Sequence, residues 1–164
     1  MPDKGDFEQF VASRSGVLLR TAYLLCAGDR GAAEDLLQEV LERMYPKWRR
    51  INGTPEAYAR AALANASANR WRRRARRVTE TPLTDLLGPA VSGPENEVIN
   101  RDEVVRALGA LPERMRAVLV LRFYDDLSEA DTAAAMGCSV GTVKSQTSRG
   151  LARLREVLGE KVGS

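Results

Sequence analysis

The stretch LSEADTAAAMGCSVGTVKSQTSRGLARLRE, residues 127–156, specifies a local fold by its caps and turn. Ser128 is a typical N-cap, with Asp131 at the return position of a capping box. Gly137 stands where a helix would end in a left-handed conformation, and Ser139 can cap the next helix. Two short helices joined by a glycine turn at this spacing are typical of a helix-turn-helix.

The second helix of this motif carries polar side chains along its early turns, while Val143 and Leu151 are expected to face the core. In a helix-turn-helix this helix enters the major groove, where its polar residues can read base edges and its arginines can hold phosphates. A helical hairpin with a polar outer face is the alternative. The candidate DNA contacts are Thr142, Lys144, Ser145, Gln146, Ser148, Arg149 and Arg153.

The charge of the chain is strongly segregated. Its 164 residues carry 25 Lys and Arg against 22 Asp and Glu, a net charge of +3. Residues 43–77 hold eleven basic residues and one acid, Glu56, so this segment carries +10 and the remainder −7. Such a local positive field favours a polyanionic partner, and nucleic acid is the natural one. A solvated basic helix end is the alternative.

Several functional classes are excluded by composition. The chain has no His, which removes Ser-His-Asp catalysis and His-ligated metals. Cys26 and Cys138 form no CxxC pair. No catalytic residue, metal site or cofactor is therefore expected, and the protein is not expected to be an enzyme. No apolar run approaches the roughly 20 residues that span a bilayer, so a cytoplasmic protein without membrane insertion is predicted.

The pattern of apolar residues predicts helices throughout. Asp29 is expected to cap the second helix, which has one apolar stripe, and Pro46 to end it. Thr54 followed by Pro55 is expected to open the third helix. Residues 78–96 are rich in Pro and Gly and predict a flexible linker. The expected fold is all-α, with two small helical domains at residues 5–77 and 97–160 joined by that linker. The predicted helices cover about 6–27, 30–45, 54–77, 97–108, 112–124, 128–136 and 140–158.

Three segments together resemble a bacterial RNA polymerase sigma factor of the extracytoplasmic-function group, the type that retains only regions 2 and 4. GDRGAAEDLLQEVLERMY (28–45) is similar to region 2.2, and TPEAYARAALANASANRWRRRARR (54–77) to regions 2.3–2.4. LPERMRAVLVLRFYDDLSEADTAAAMGCSVGTVKSQTSRGLARLR (111–155) is similar to region 4. The order and spacing of the three segments make the resemblance specific. Gln146 and Thr147 depart from the usual pattern, and Thr132 replaces a larger apolar residue.

The resemblance implies a partner for each half of the chain. Region 2.2 docks on a coiled coil of the polymerase clamp, which here would use Asp35, Gln38, Glu39 and Glu42. Region 2 also captures bases of the −10 promoter element, for which Trp48, on a polar loop, is the better stacking candidate. Region 4 would read the −35 element. The implied −10 contacts are Lys47, Trp48, Arg49, Arg50, Asn52, Asn65, Asn69, Arg72, Arg73, Arg74, Arg76 and Arg77.

Two other functions stay open at this point. One is a helix-turn-helix regulator that binds DNA as a dimer without polymerase. The other is a degenerate sigma-like protein that only binds partners. The resemblance also admits an anti-sigma factor as a regulatory partner, with control by expression or by proteolysis as alternatives.

Overall fold

The fold is all-helical in the part of the chain that a computed structural model describes, residues 4–78 and 99–162, with side chains at 5–68 and 103–159. A short 3-10 helix spans Trp48–Arg50, and a π-helical turn spans Val120–Tyr124. The all-α prediction is confirmed. Apart from Val78, the predicted linker lies outside the described residues. In chain order the α-helices are α1 (Lys4–Leu25), α2 (Arg30–Lys47), α3 (Pro55–Val78), α4 (Ile99–Gly109), α5 (Glu113–Leu119), α6 (Glu129–Met136) and α7 (Val140–Val162).

Side-chain caps fix the starts of two helices in the N-terminal half, α1–α3. The Asp29 carboxylate accepts a hydrogen bond from the Ala32 amide at 3.0 Å, which starts α2. The Thr54 hydroxyl accepts from the Ala57 amide at 3.1 Å and starts α3. These bonds satisfy backbone donors that the first turn of a helix leaves without a partner.

The helix-turn-helix of the C-terminal half, α4–α7, has the predicted caps and turn. The hydroxyl of Ser128 accepts from the Asp131 amide, and that of Ser139 from the Thr142 amide, both at 3.0 Å. Gly137 ends α6 with φ of 67°, a left-handed conformation that costs glycine little. Local chemistry alone therefore specifies this motif.

Pro46 does not end α2, contrary to the prediction. The helix includes Pro46 and continues to Lys47, after which the backbone tightens into the 3-10 helix. Proline removes one backbone donor and disfavours a helical conformation at the residue before it. Here the turn it would disrupt is the last one, so the helix ends two residues beyond the predicted end at residue 45.

The two halves pack against each other around one continuous apolar core. In the N-terminal half, α1, α2 and α3 enclose Leu18, Leu36 and Leu63, which are all fully buried. In the C-terminal half, α7 packs on α5 and α6. The halves meet where α3 lies against α5 and α6, and where α1 contacts α5 and the π-turn. One cluster of buried side chains runs through both.

Within residues 4–78 and 99–162, no helix is both long enough and apolar enough to cross a bilayer.

Candidate nucleic-acid interface

Helix α7 is held against α5 by its inner face. Val143 is fully buried. Gly150 allows a close approach, because a Cβ atom there would lie 2.9 Å from Met115 Cγ and 3.0 Å from Leu119 Cδ1. Since Val143 and Gly150 are seven residues apart, they lie on one side of the helix. The opposite side is thereby fixed toward solvent.

Most of the predicted −35 contacts lie on the outer side of α7, whereas Gln146, three residues after Val143 and four before Gly150, lies at the edge of the inner side. The hydroxyl of Ser145 donates to the Thr142 carbonyl at 3.1 Å, and the hydroxyl of Thr142 accepts from the Ser139 hydroxyl at 3.0 Å. Both hydroxyls are thus hydrogen-bonded to neighbouring residues, whereas Lys144 is exposed to solvent. Ser145 and Gln146 are half-buried, and the exposed members of the set are Thr142, Lys144, Ser148, Arg149 and Arg153.

The structure contradicts the expectation that Trp48 is an exposed stacking residue. Only 8% of Trp48 is exposed. Its ring centroid lies 5.2 Å from that of Phe7 and 5.4 Å from that of Phe10. The polar neighbours of Trp48 in sequence indicated a loop, but two aromatic residues of α1, distant in sequence, cover its indole. Trp48 is a core residue that supports the segment around it.

The polar residues around Trp48 are exposed, as a DNA-binding segment requires. Lys47, Arg49 and Arg50 lie at the end of α2 and on the 3-10 helix, and Asn52 lies in the turn before α3. Their backbone is anchored by the buried Trp48. This part of the predicted −10 surface therefore presents three cations and one amide on a supported segment.

Asn65 makes a contact that sequence reasoning did not foresee. Its side-chain amide donates to the backbone carbonyl of Ala135 in α6 at 3.0 Å. One predicted −10 residue is thus hydrogen-bonded to the helix-turn-helix. The other predicted −10 contacts belong to α3, but their side chains are outside the described part of the structure. They are Asn69, Arg72, Arg73, Arg74, Arg76 and Arg77.

The predicted polymerase-binding residues share the outer face of α2. The Gln38 amide donates to Glu42 at 3.4 Å, and Glu39 forms an ion pair with Arg43 at 3.3 Å. Asp35, Gln38 and Glu42 are exposed, and Glu39 is half-buried. The inner face of the helix buries its leucines in the core. The helix therefore presents an acidic surface on a rigid support.

A polar cluster lies at the boundary between the halves, and none of its residues was predicted from the sequence. The hydroxyl of Thr21 donates to the Asp125 carboxylate at 2.8 Å, and Arg60 Nε lies 3.7 Å from the same oxygen. Burial raises the pKa of Asp125, while the Thr21 hydrogen bond and the Arg60 charge act in the opposite direction and Glu56 adds to the rise. Nothing in the sequence around Asp125 distinguishes it from the exposed Asp126 beside it.

Arg116 is a second residue that the sequence did not identify. It is 1% exposed, and its guanidinium donates to the carbonyls of Leu25 at 3.0 Å and Leu108 at 3.3 Å. These carbonyls lie in the last turns of α1 and α4, where a cation is favoured. One signal was available: Arg116 is the only charged residue in the otherwise apolar segment 115–121.

Comparison with known proteins places both halves in one family. Residues 10–77 match Sigma-70 region 2, and residues 101–154 match Sigma-70, region 4. The chain is 38% identical over 155 residues to the RNA polymerase sigma-E factor of Streptomyces coelicolor, covering 93% of this chain and 86% of that protein. The sigma-E factor of Streptomyces avermitilis is 39% identical over 155 residues, with 93% and 85% covered.

Two solved structures share the fold. The sigma factor RpoE of Bartonella quintana, solved in complex with the anti-sigma factor NepR, superposes with a TM-score of 0.73 at 28% identity, covering 93% of this chain and 96% of that one. CnrH, solved with the cytosolic domain of CnrY, gives a TM-score of 0.66 at 23% identity, with 96% and 90% covered. Because regions 2 and 4 both match, and the sigma-E relatives align along nearly their whole length, the chain belongs to the extracytoplasmic-function group of the sigma-70 family of RNA polymerase sigma factors.

Proposed function

We propose that this sigma factor joins core RNA polymerase through the acidic outer face of α2, reads the −35 element with α7, and captures the −10 element with the basic segment at 47–52 and the end of α3. The proposal rests mainly on the way α7 packs against α5. Val143 and Gly150 fix its inner face, so the exposed Lys144 and Ser148 lie on the side away from the protein. That is the geometry in which a helix enters the major groove.

The polymerase contact is proposed from charge and rigidity. A helix whose inner face is buried presents its carboxylates in a fixed row, and such a row complements a basic partner surface. The proposed partner surface is the coiled coil of the polymerase clamp. The sigma factor itself is proposed to perform no chemistry and to act in the cytoplasm, where the polymerase forms the phosphodiester bonds.

An anti-sigma factor is proposed as a further partner. The relative from Bartonella quintana was solved with one, and it covers 93% of this chain. Pull-down with the full chain from the organism that carries the gene should recover such a partner.

Run-off transcription with core polymerase on genomic fragments tests the function. Start sites mapped with the wild-type chain should share two upstream elements about two helical turns apart. Failure on every fragment despite core binding would favour a protein that only binds partners. Tight binding to a palindrome by the isolated protein, unaffected by core polymerase, would instead favour a dimeric regulator.

Two variants test the assigned surfaces. Asp35→Arg should weaken core binding because it reverses an exposed charge on α2, whereas Glu156→Arg, an exposed position on α7, should not. Equal binding by both would reject the docking face. Replacing Lys144 and Gln146 together by alanine should cost about 1–3 kcal/mol of discrimination for each lost base contact. The loss should be larger on duplex promoters than on a premelted template.

A further inference from the structure

Helix α7 begins with an apolar side chain that remains in contact with solvent. Val140, its first residue, is 39% exposed. Among the side chains described in residues 5–68 and 103–159, it is the only exposed large apolar one on α7, since the others lie on α2, α4 and the π-turn. Lys144 and Ser148, four and eight residues further on, are exposed on the same side of the helix. Val140 therefore extends the surface that α7 is proposed to present to DNA.

The backbone that carries Val140 is fixed by hydrogen bonds. The Ser139 hydroxyl accepts from the Thr142 amide at 3.0 Å, and the Ser139 carbonyl accepts from the Val143 amide at 3.1 Å. Val143 is fully buried and holds this turn against the protein. A β-branched side chain in a helix has one strongly preferred rotamer. The isopropyl group of Val140 is therefore presented in one orientation, so that little conformational entropy is lost when a ligand covers it.

The major groove of DNA offers one apolar group to such a side chain. The base edges exposed there carry hydrogen-bond donors and acceptors, together with the 5-methyl group of thymine. In a helix-turn-helix, the N-terminal residues of the second helix contact these base edges. A valine that covers a donor or an acceptor removes it from water without replacing its hydrogen bond, which is unfavourable. A valine that covers the thymine methyl group buries two apolar surfaces, which is favourable.

We propose that Val140 is a specificity-determining residue for the −35 element, and that it contacts the 5-methyl group of a thymine. The inference rests on the proposed function, because it requires α7 to enter the major groove. It adds to that function one residue outside the polar set, and it names the base that the residue selects. An A·T pair in the matching orientation should be preferred at this position, because only thymine presents a methyl group there.

Replacing thymine by deoxyuridine tests the contact, because the replacement removes the 5-methyl group and keeps every hydrogen-bonding group of the base. Each thymine of the −35 duplex, on both strands, is replaced in turn. Binding by the chain assembled with core polymerase is then measured by fluorescence anisotropy. At one position the replacement should weaken binding by about fourfold, the effect of burying one methyl-sized group. The absence of any such position would overturn the inference.

Variants of Val140 show whether this residue makes the contact. With Val140→Ala the deoxyuridine replacement should no longer affect affinity, whereas with Val140→Ile the fourfold effect should remain. Val104→Ala is the matched control, because Val104 is 40% exposed and lies on α4, and it should also keep the effect. If Val140 only supported the start of α7, Val140→Ala would weaken binding to the thymine and deoxyuridine duplexes equally. That result would overturn the inference.

The outcomes separate this inference from the proposed function. The duplex is taken from the upstream elements of mapped start sites or, if run-off transcription gives none, is selected from random DNA by the full chain alone. Initiation at mapped promoters without a deoxyuridine effect that depends on Val140 would overturn the inference and leave the proposed function standing. Such an effect on a selected duplex, without initiation on any fragment, would support the thymine contact and reject the promoter function. Failure of the full chain to select any duplex would overturn the inference.

Discussion

Replacing Arg116 by methionine should destabilise the protein by removing a cation that joins three helices. The guanidinium, on α5, donates to the carbonyls of Leu25 at the end of α1 and Leu108 near the end of α4. Burial lowers the pKa of Arg116 below its ordinary value, while the charges of Cys26 and Glu113 act in the opposite direction. Methionine can fill much of the same volume without hydrogen bonds.

The expected loss can be worked out from these two bonds. A hydrogen bond from a charged donor contributes about 1.5–3 kcal/mol, so the pair contributes about 3–6 kcal/mol. Part of this is offset because methionine does not require a buried charge. The carbonyls also keep other donors, since Ser67 Oγ lies 3.5 Å from the Leu25 oxygen and the Leu111 amide lies 3.1 Å from the Leu108 oxygen. A net loss of about 3 kcal/mol is expected, equivalent to roughly 6–12 °C in Tm.

Thermal unfolding followed by circular dichroism measures this loss. Arg20→Met, at an exposed position of α1, is the matched control and should change stability by less than about 0.5 kcal/mol. The reasoning would be refuted if Arg116→Met melted within about 2 °C of the control. That result would mean that the desolvation of the guanidinium cancels its hydrogen bonds.

Three further outcomes are expected. Gly150→Ala should lower Tm because the added Cβ would meet Met115. Gly16→Ala is the control: nothing lies within 4 Å of the added Cβ, so the free energy of unfolding should rise by about 0.5–1 kcal/mol. Equal changes for the two variants in calorimetry would contradict the close approach of α7 to α5. Thr132→Val should raise the free energy of unfolding in urea by about 1 kcal/mol, because the fully buried Thr132 hydroxyl has no hydrogen-bond partner among the described residues. A lower free energy of unfolding would show that the hydroxyl does have a partner. The folded protein raises the pKa of Asp125 above its ordinary value of 3.8. The contribution of Asp125 to the free energy of unfolding is therefore greatest below pH 3.8 and is lost as the pH rises through the raised pKa. Asp125→Asn should therefore gain Tm relative to wild type as pH rises over that window, and a gain on acidification would be the contrary result.

The sequence predicted the features that depend on neighbouring residues. The caps at Asp29, Thr54 and Ser128 and the glycine turn at Gly137 are all local, because each involves groups within a few positions of one another. The apolar stripe of α2 likewise follows from helical spacing alone. These features are enough to identify the helix-turn-helix and the helical fold without reference to any tertiary contact.

Contacts between distant segments could not be predicted in this way. Trp48 was misjudged because its sequence neighbours are basic, while the aromatic rings that cover it come from α1. The bond from Asn65 to Ala135 spans 70 residues, and that from Thr21 to Asp125 spans 104. Each depends on how the two halves pack, and periodicity within one helix carries no information about that.

The π-helical turn at Val120–Tyr124 sets the direction in which Asp125 points, and the turn depends on the presence of one extra residue. Its last bond runs from the Asp125 amide to the Val120 carbonyl at 3.0 Å, five residues back instead of four. Deleting one residue from this turn would restore α-helical spacing and rotate the downstream residues by about 100°. Asp125 would then leave Thr21 even though both residues remained in the sequence. Among homologues, a one-residue gap in this segment would therefore separate chains that can form the contact between Thr21 and Asp125 from chains that cannot.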